Sequence, residues 1–458
     1  MTDRHAPRAP PGLLRVLGLV FGLAVVVGGM VGSGIMRAPG VVALGITSPT
    51  LILLAWAAGG AVALLSAMPL VEAGASIAMA GGAFPIAERA FGPTVGFFTG
   101  WIGWLQYVAS NAFIAVVFGE YVHRLGYGAH LSNSVLAVGL LVAVAAVNWI
   151  GTRISGASQS VASALKGAAF LILAALLFAS PRAPMDATAI HAARQGALIE
   201  VTTIGAVVMA VRVIYQTYAG WDAAIYFSEE VNRPDRNVAR ATFGGIAAVT
   251  VLYVLINAAV LHVLSPGAFA GSALAVGDAA KVSLGPVGDT VITAMGLFSL
   301  VAIVNLQTMA APRITYRMGR DGALPGAFAS VAAGGAPRLG VAVAAMAAVL
   351  FATTGGYESI VRIYVPWSMG GILIVCLSAI RLRIAEPDLP RPYRMPLFPW
   401  IAIGAAAIQA ALIAVVAWDD PIAALGSAVV ALAPLPIYLV FAKAWRRRAM
   451  AIKGGERP

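Results

Sequence analysis

Apolar runs near twenty residues long follow one another along almost the whole chain, separated by short stretches rich in Gly, Pro and charge. Each run is long enough to cross a bilayer core of roughly 30 Å as a helix. The pattern predicts about twelve such segments. Segments 1 to 5 cover about Leu13–Leu44, Thr50–Ala78, Thr94–Val122, Ser134–Ile150 and Ser158–Ser180. A polar stretch, Pro181 to about Ala197, separates them from segments 6 to 10, at about Ile199–Ser228, Ala241–Leu264, Pro286–Thr315, Gly340–Thr353 and Ile360–Ile380. Segments 11 and 12 follow at about Trp400–Trp418 and Ile422–Phe441. The first run is too long for a secretory signal, and no small-residue cleavage site followed by soluble sequence accompanies it. The expected fold is an all-α polytopic membrane protein.

Two segments break their own pattern. In segment 1, Gly28, Gly29, Gly32 and Gly34 fall within seven residues. Each costs a helix roughly 1 kcal/mol against alanine. Freed backbone at membrane depth is tolerated only where it is buried in protein or lines a cavity. Two half-helices meeting at an unwound joint satisfy that rule, and so does a glycine-packed contact between helices. In the first case the second half begins near Ser33 and points its amides, with roughly half a positive charge, at the joint. In segment 6 the run is interrupted by Gln216, Thr217, Tyr218, Ala219, Gly220, Trp221 and Asp222. A carboxylate at the bilayer centre costs roughly 2.5–3.5 kcal/mol, so Asp222 needs a polar cavity or a partner. The two breaks lie five segments apart. An odd spacing gives the halves opposite orientation, and matched interruptions in inverted halves point to a transporter's central site. Helix amides at one break suit an anionic group and unwound carbonyls at the other a cationic one, which together describe a zwitterionic amino acid.

Composition supports the membrane class: 60% of residues are hydrophobic and only 11% charged. The net charge of +11 does not indicate nucleic acid, because the charges fall in particular loops. Arg89, Arg153, Arg233, Arg236, Arg240, Arg317, Arg320, Arg338, Arg381, Arg383, Arg391 and Arg394 follow even-numbered segments, whereas Arg124, Arg182, Arg194 and Lys281 follow odd-numbered ones. Arg4, Arg8 and Arg15 lead the chain, and Lys443, Arg446, Arg447, Arg448, Lys453 and Arg457 close it. Both termini are therefore expected on the cytoplasmic side of a cytoplasmic (inner) membrane. The sole cysteine, Cys376, offers no disulfide or redox motif. Histidines do not cluster as metal ligands, and no metalloprotease helix, nucleophile elbow or phosphate-binding loop is present, so no enzyme, cofactor or metal is expected.

The motifs then resemble those of the amino acid–polyamine–organocation superfamily, in particular its bacterial permeases and L-amino acid transporter branch. Gly32-Ser33-Gly34-Ile35 with Pro39-Gly40 is similar to the family's first-helix motif. Gly81-Gly82, Ala90-Phe91-Gly92-Pro93 and Gly96-Phe97 resemble the motif between helices 2 and 3. Tyr218-Ala219-Gly220-Trp221-Asp222 followed by Glu229-Glu230-Val231, Asn232, Pro234, Arg236 and Asn237 resembles the helix-6 signature. Arg320-Asp321-Gly322-Leu324-Pro325 and Arg391-Pro392-Tyr393 with Pro396 and Pro399 resemble the loop after helix 8 and the lead into helix 11. The resemblance implies two inverted five-helix repeats and two peripheral helices. The corresponding division is a tail at 1–12, a first repeat at 13–180, a connecting loop at 181–197, a second repeat at 198–381, peripheral helices at 382–445 and a basic tail at 446–458. It also implies sodium-independent amino acid transport by alternating access, with neutral L-amino acids favoured and cationic amino acids or polyamines as the alternative. Proton coupling and exchange stay open, as does oligomeric state. A channel or a substrate sensor on the same fold is a remote third class.

Gly32, Ser33, Gly34, Ile35, Thr217, Tyr218, Ala219, Gly220 and Trp221 are the expected substrate-binding residues. In some family members a lysine on helix 5 stands where sodium-coupled relatives bind sodium. Lys166 occupies that place here, and its bland alternative is a side chain snorkelling to the surface. Arg37, Asn111, Asp222 and Asn305 are candidate cavity residues, with Gln307 beside them. The amides serve equally well as hydrogen bonds between helices, and Arg37 as half of an ion pair with Glu72 or Glu120. Trp101, Trp104 and Tyr107 fit packing or interface anchoring. Glu229-Glu230 with Arg233 and Arg236 form either a cytoplasmic network or a solvated loop. Some animal relatives carry a disulfide-linked ancillary chain. The loop from about His123 to Asn133 has no cysteine, so no such linkage is expected.

Overall fold

A computed structural model describes residues 13, 15, 17–181, 203–272, 274–354 and 357–454. The predicted tail at 1–12 and the connecting loop beyond Pro181 lie outside them. The described residues fold into helices that run back and forth across one bundle. Helices α1 (Leu19–Met30) and α2 (Ser33–Gly45) form one span bent by 44° at the predicted glycine joint. Then come α3 (Pro49–Ile77), short α4 (Ala83–Phe91), α5 (Pro93–Arg124), α6 (Asn133–Ile150) and α7 (Thr152–Ala179). The second half opens with α8 (Thr203–Thr217), which stops at the predicted second break, and a 3-10 turn over Trp221–Phe227. It continues with α9 (Pro234–Val263), α10 (Ala275–Leu284), α11 (Pro286–Arg320), α12 (Arg338–Thr354) and α13 (Tyr357–Ala385). Helices α14 (Trp400–Asp419), α15 (Pro421–Leu432) and α16 (Leu435–Gly454) close the chain. Nine described spans are long and apolar enough to cross a membrane, ten with the bent pair; α8 and α12, from predicted segments 6 and 9, are helical but shorter.

Local chemistry explains the helix starts. Proline stands in the first turn of α3, α5, α9, α11 and α15, where its missing N–H leaves no internal bond unmade. Ser48 and Ser132 cap α3 and α6 through the amides of Leu51 and Val135. One corner occurs in both halves. Helix α4 turns into α5 through Gly92-Pro93 and α10 into α11 through Gly285-Pro286, with φ of +86° and +66° at the two glycines. Both corners join a short helix to one of the two longest helices, of 32 and 35 residues. That repetition follows the five-segment offset between the breaks.

One face of the bundle gathers the loops at Leu17, 78–92, Gly151, 228–233, 321–337 and 386–399. There Leu17 pairs with the chain at Glu230 and Asn232, and Thr152 with Gly334. The Arg313 guanidinium forks onto Glu230, with Nε 2.5 Å from Oε2 and Nη2 2.8 Å from Oε1. Both side chains are buried, at 3% and 0% exposure. Phe227 lies under the guanidinium, 4.5 Å from its ring centroid, and Phe21 meets that ring edge-on. Glu229 receives Arg317 at 2.9 Å and Arg320 at 3.4 Å. The predicted network is therefore present, but its arginines come from α11 rather than from the adjacent Arg233 and Arg236, whose positions keep them exposed. Glu72 likewise pairs with Arg383 and Arg391 and not with Arg37. Nearby, burial and the Asp321 carboxylate push the Glu88 carboxyl above its ordinary value, against the pull of Arg446.

Breaking a buried pair by removing one partner costs about 3–5 kcal/mol, because the remaining charge stays buried. The expected result is a marked fall in the thermal unfolding midpoint of detergent-purified Arg313→Met. Arg89→Met, which breaks the half-exposed pair with Glu386, is expected to change it little. Equal midpoints for the two variants would contradict this ranking.

Candidate functional site

The end of α1 is where the backbone runs out of internal partners. A helix C-terminus leaves carbonyls without donors and carries partial negative charge. Here three neighbouring helices supply the donors. Lys166 Nζ, on α7, donates to Gly28 O at 3.0 Å and Val31 O at 2.6 Å. Tyr253 Oη, on α9, lies 2.7 Å from Met30 O, and Ser299 Oγ, on α11, donates to Val31 O at 3.1 Å. Lys166 is 2% exposed, which rules out the snorkelling alternative. Gly28 makes room for α7: a Cβ there would sit 2.3 Å from Ser163 Oγ. Ser163 itself donates to Ala24 O at 2.7 Å.

The two breaks touch. Gly220 has φ +102°, and a Cβ on it would lie 2.8 Å from the Gly29 backbone. Tyr253 Oη also reaches Thr217 O at 3.1 Å, so one hydroxyl bridges both breaks. Tyr253 packs edge-on against Tyr218 and Trp56, and Tyr218 Oη donates to Trp56 O. No side chain caps the start of α2, whose N-cap is Gly32. Among the described residues no donor reaches the carbonyls of Tyr218 or Ala219.

A cavity of about 230 Å³ opens at this junction. It is smaller than the roughly 300–1,000 Å³ of drug-sized pockets and suits a small ligand. Gly32, Gly34, Thr217, Ala219 and Gly220 form one wall. Polar side chains Gln106, Ser110, Gln216, Gln307 and Asp222 face it, with Tyr107, Phe113 and Tyr364 around them. Gln216 donates to Tyr364 Oη and Gln307 to Ser110 Oγ, while Gln307 Oε1 is buried with no partner among the described residues. On the side of the ionic network, Gln106, Gln216, Ala219, Gly220 and Asp222 also wall a tighter space of about 40 Å³, where Trp221 and Tyr218 lie. Asp222 therefore borders both, lies near Tyr226, and has no Lys, Arg or His within 4 Å among the described residues.

Other sequence candidates lie elsewhere. Ile35 is fully buried in the core and Arg37 is exposed on α2. Asn111 donates to Thr308 at 2.9 Å, and Asn305 joins Asn148 and Gln159, so both tie helices together and neither lines the central cavity. Trp101 stacks on Trp104 and donates to Val430 O, which is packing. Tyr253 went unread in the sequence. Its only signal is a tyrosine near the middle of an apolar run.

A polytopic α-helical protein with two touching helix breaks around a small polar cavity is built as a membrane transporter. Comparison with known proteins gives the family: a sequence model described as amino acid permease matches residues 16–441. The chain belongs to that family. It is 29% identical over 400 residues to the b(0,+)-type amino acid transporter 1 of Mus musculus, covering 84% of this chain and 80% of that protein. The Serine/threonine exchanger SteT of Bacillus subtilis (strain 168) is 27% identical over 444 residues, covering 93% and 97% of the two chains. The Large neutral amino acids transporter small subunit 2 of Homo sapiens is 26% identical over 440 residues, covering 93% and 80%. The chain is thus an amino acid permease and a multi-pass membrane protein, not an enzyme.

Gly34 faces Thr217 so closely that a Cβ would lie 3.1 Å from Thr217 Cγ2. Gly34→Val is expected to raise the KM for amino acid uptake at least about tenfold with normal membrane expression, the cost of a blocked contact worth about 1.4 kcal/mol. Unchanged affinity in that variant would remove the α2 start from the binding site.

Proposed function

We propose that this permease moves neutral L-amino acids across the cytoplasmic membrane by alternating access without sodium. The observation that carries the reading is the Lys166 ammonium on Gly28 O and Val31 O, a fixed cation at the joint of the first broken helix. In this reading the amides at Gly32, Ser33 and Gly34 receive the substrate carboxylate. The free carbonyls of Tyr218 and Ala219, with Gln307 Oε1 nearby, receive its amino group. Trp221 lies just beyond Gly220 and closes the way toward the ionic network. The face bearing that network is the cytoplasmic one, in keeping with the basic residues of its loops and of the two chain ends. It is held shut here, so the central cavity belongs to the route from the other side. The division into two repeats at 13–180 and 198–381 with peripheral helices after 382 fits the repeated Gly-Pro corner. Cys376 is buried, which fits a chain without a disulfide-linked partner. Movement proceeds either as exchange or with a proton.

A second reading rests on Asp222, an acid without a paired cation beside the cavity. It makes a cationic amino acid or polyamine the substrate, with Asp222 as counter-charge. Uptake of a labelled amino acid panel into proteoliposomes, with and without Asp222→Asn, separates the two. Preference for neutral substrates that survives Asp222→Asn supports the first reading, and loss of cationic uptake supports the second.

Removing the ammonium leaves the carbonyls of Gly28 and Val31 without their cation, so Lys166→Ala is expected to abolish most uptake while the protein still reaches the membrane. Replacing external sodium with choline is expected to leave wild-type uptake unchanged. A strict sodium requirement, or a fully active Lys166→Ala, would overturn the assignment.

A further inference from the structure

Outside the substrate path, a groove of about 860 Å³ runs along the outer surface between α6, α7 and α11. Its walls are apolar side chains, among them Leu140, Val144, Val161, Leu165, Phe298 and Val301. Only three polar residues reach it. Arg153 stands at the end nearest the ionic face, Ser158 lies a turn further in, and Asn305 forms part of the floor. The Arg153 guanidinium is exposed and has no acid within 4 Å among the described residues. Close by, Trp149 is 43% exposed with the Arg338 guanidinium 5.4 Å over its ring. An exposed tryptophan beside arginine marks the headgroup level of a bilayer.

We propose that this groove is a binding site for one anionic phospholipid of the leaflet on that face. An acyl chain would lie along α7 and the phosphate would meet Arg153. Dimensions support this. From Arg153 to Leu165 is about 18 Å along a helix rising 1.5 Å per residue, close to the ~15 Å of one leaflet's hydrocarbon. A smaller groove on the other side of α7, lined by Leu17, Gly18, Phe21 and Ser160, shares Arg153 and Ala157 with the first and gives the headgroup room.

The site also has a route to the joint. Asn305 Nδ2 donates to Gln159 Oε1 at 2.9 Å, Gln159 to Ser163 Oγ at 3.3 Å, and Ser163 to Ala24 O. A chain lying on Asn305 packs against the outer end of that ladder. The lipid thereby steadies the attachment of α7 to α1.

Native mass spectrometry of the detergent-purified protein, titrated with dioleoyl phosphatidylglycerol or dioleoyl phosphatidylcholine, tests binding without depending on transport. The wild type is expected to take one phosphatidylglycerol about fivefold more tightly than phosphatidylcholine, the worth of one basic residue against an anionic headgroup. Arg153→Gln is expected to remove that preference. Ala143→Trp, which fills the groove from an exposed position on α6, is expected to weaken both lipids. Retained preference in Arg153→Gln, or wild-type lipid binding in Ala143→Trp, would overturn the proposal. Arg153 is exposed, so that variant reports even where the tryptophan impairs folding.

Discussion

A lysine ammonium buried beside the end of a half-helix is the interaction on which the rest depends. Alone, either partner is costly: a cation at membrane depth by several kcal/mol, and helix carbonyls without donors by a similar amount each. Together they offset one another, because the carbonyl end of α1 already carries negative partial charge. Lys166, Tyr253 and Ser299 satisfy the carbonyls of Gly28, Met30 and Val31 from three different helices. The break in the first span is therefore a set of bonds placed on purpose between α1, α7, α9 and α11. It fixes where α2 begins and so where its free amides point.

The second break is arranged differently, and the contrast explains how a site arises from it. Gln216 O and Gly220 O take the amides of Ala219 and Ala223, and Thr217 O shares the single Tyr253 hydroxyl proton with Met30 O. The carbonyls of Tyr218 and Ala219 between them stay free among the described residues, because Gly220, with φ +102°, turns the chain into a 3-10 turn before they can rejoin a helix. A satisfied break next to an unsatisfied one leaves amides and carbonyls of opposite polarity around the same small cavity. The proposed recognition of the common end of an amino acid rests on that polarity, with Gln106, Ser110, Gln307, Asp222 and the aromatics lining the rest of the cavity.

Much of this was legible in the chain because it depends on local chemistry. Glycine density at 28–34 and polar residues at 216–222 announced both breaks, and a lone lysine in an apolar run announced its own burial. What stayed hidden was direction. Hydropathy shows that Asn111, Asn305 and Arg37 lie near membrane depth but not which way they face, and the first two bond to other helices while the third is exposed. Pairing over distance was hidden too. Glu229 and Glu230 have arginines three to seven residues away, yet take α11 arginines more than eighty residues on, because the chain enters α9 through Arg233 at φ +49° and carries its neighbours off. Tyr253 looks like any core tyrosine until both breaks are placed beside it.

The bonds differ in how easily they part, and this limits how the molecule can move. Glu230–Arg313 is dry and forked over Phe227, whereas Glu229–Arg320 involves an arginine 48% exposed and is weakened by water and salt. Lys166 binds α1 to α7 from inside the break, so these two helices move as one body in any motion that keeps the ammonium bonded. Opening the ionic face then requires the Leu17 pairing with Glu230 and Asn232 to separate and the Arg313 fork to be replaced or carried along. Carrying it along costs less, since an unpaired buried charge is the most expensive outcome available. Any separation of the α1–α7 pair from the 3-10 turn, Glu230 and α11 must also part Thr152 from Glu230 and Arg313, Gln159 from Asn305 and Val31 from Ser299. The cost of opening is therefore spread over hydroxyl and amide bonds rather than concentrated on the buried charges.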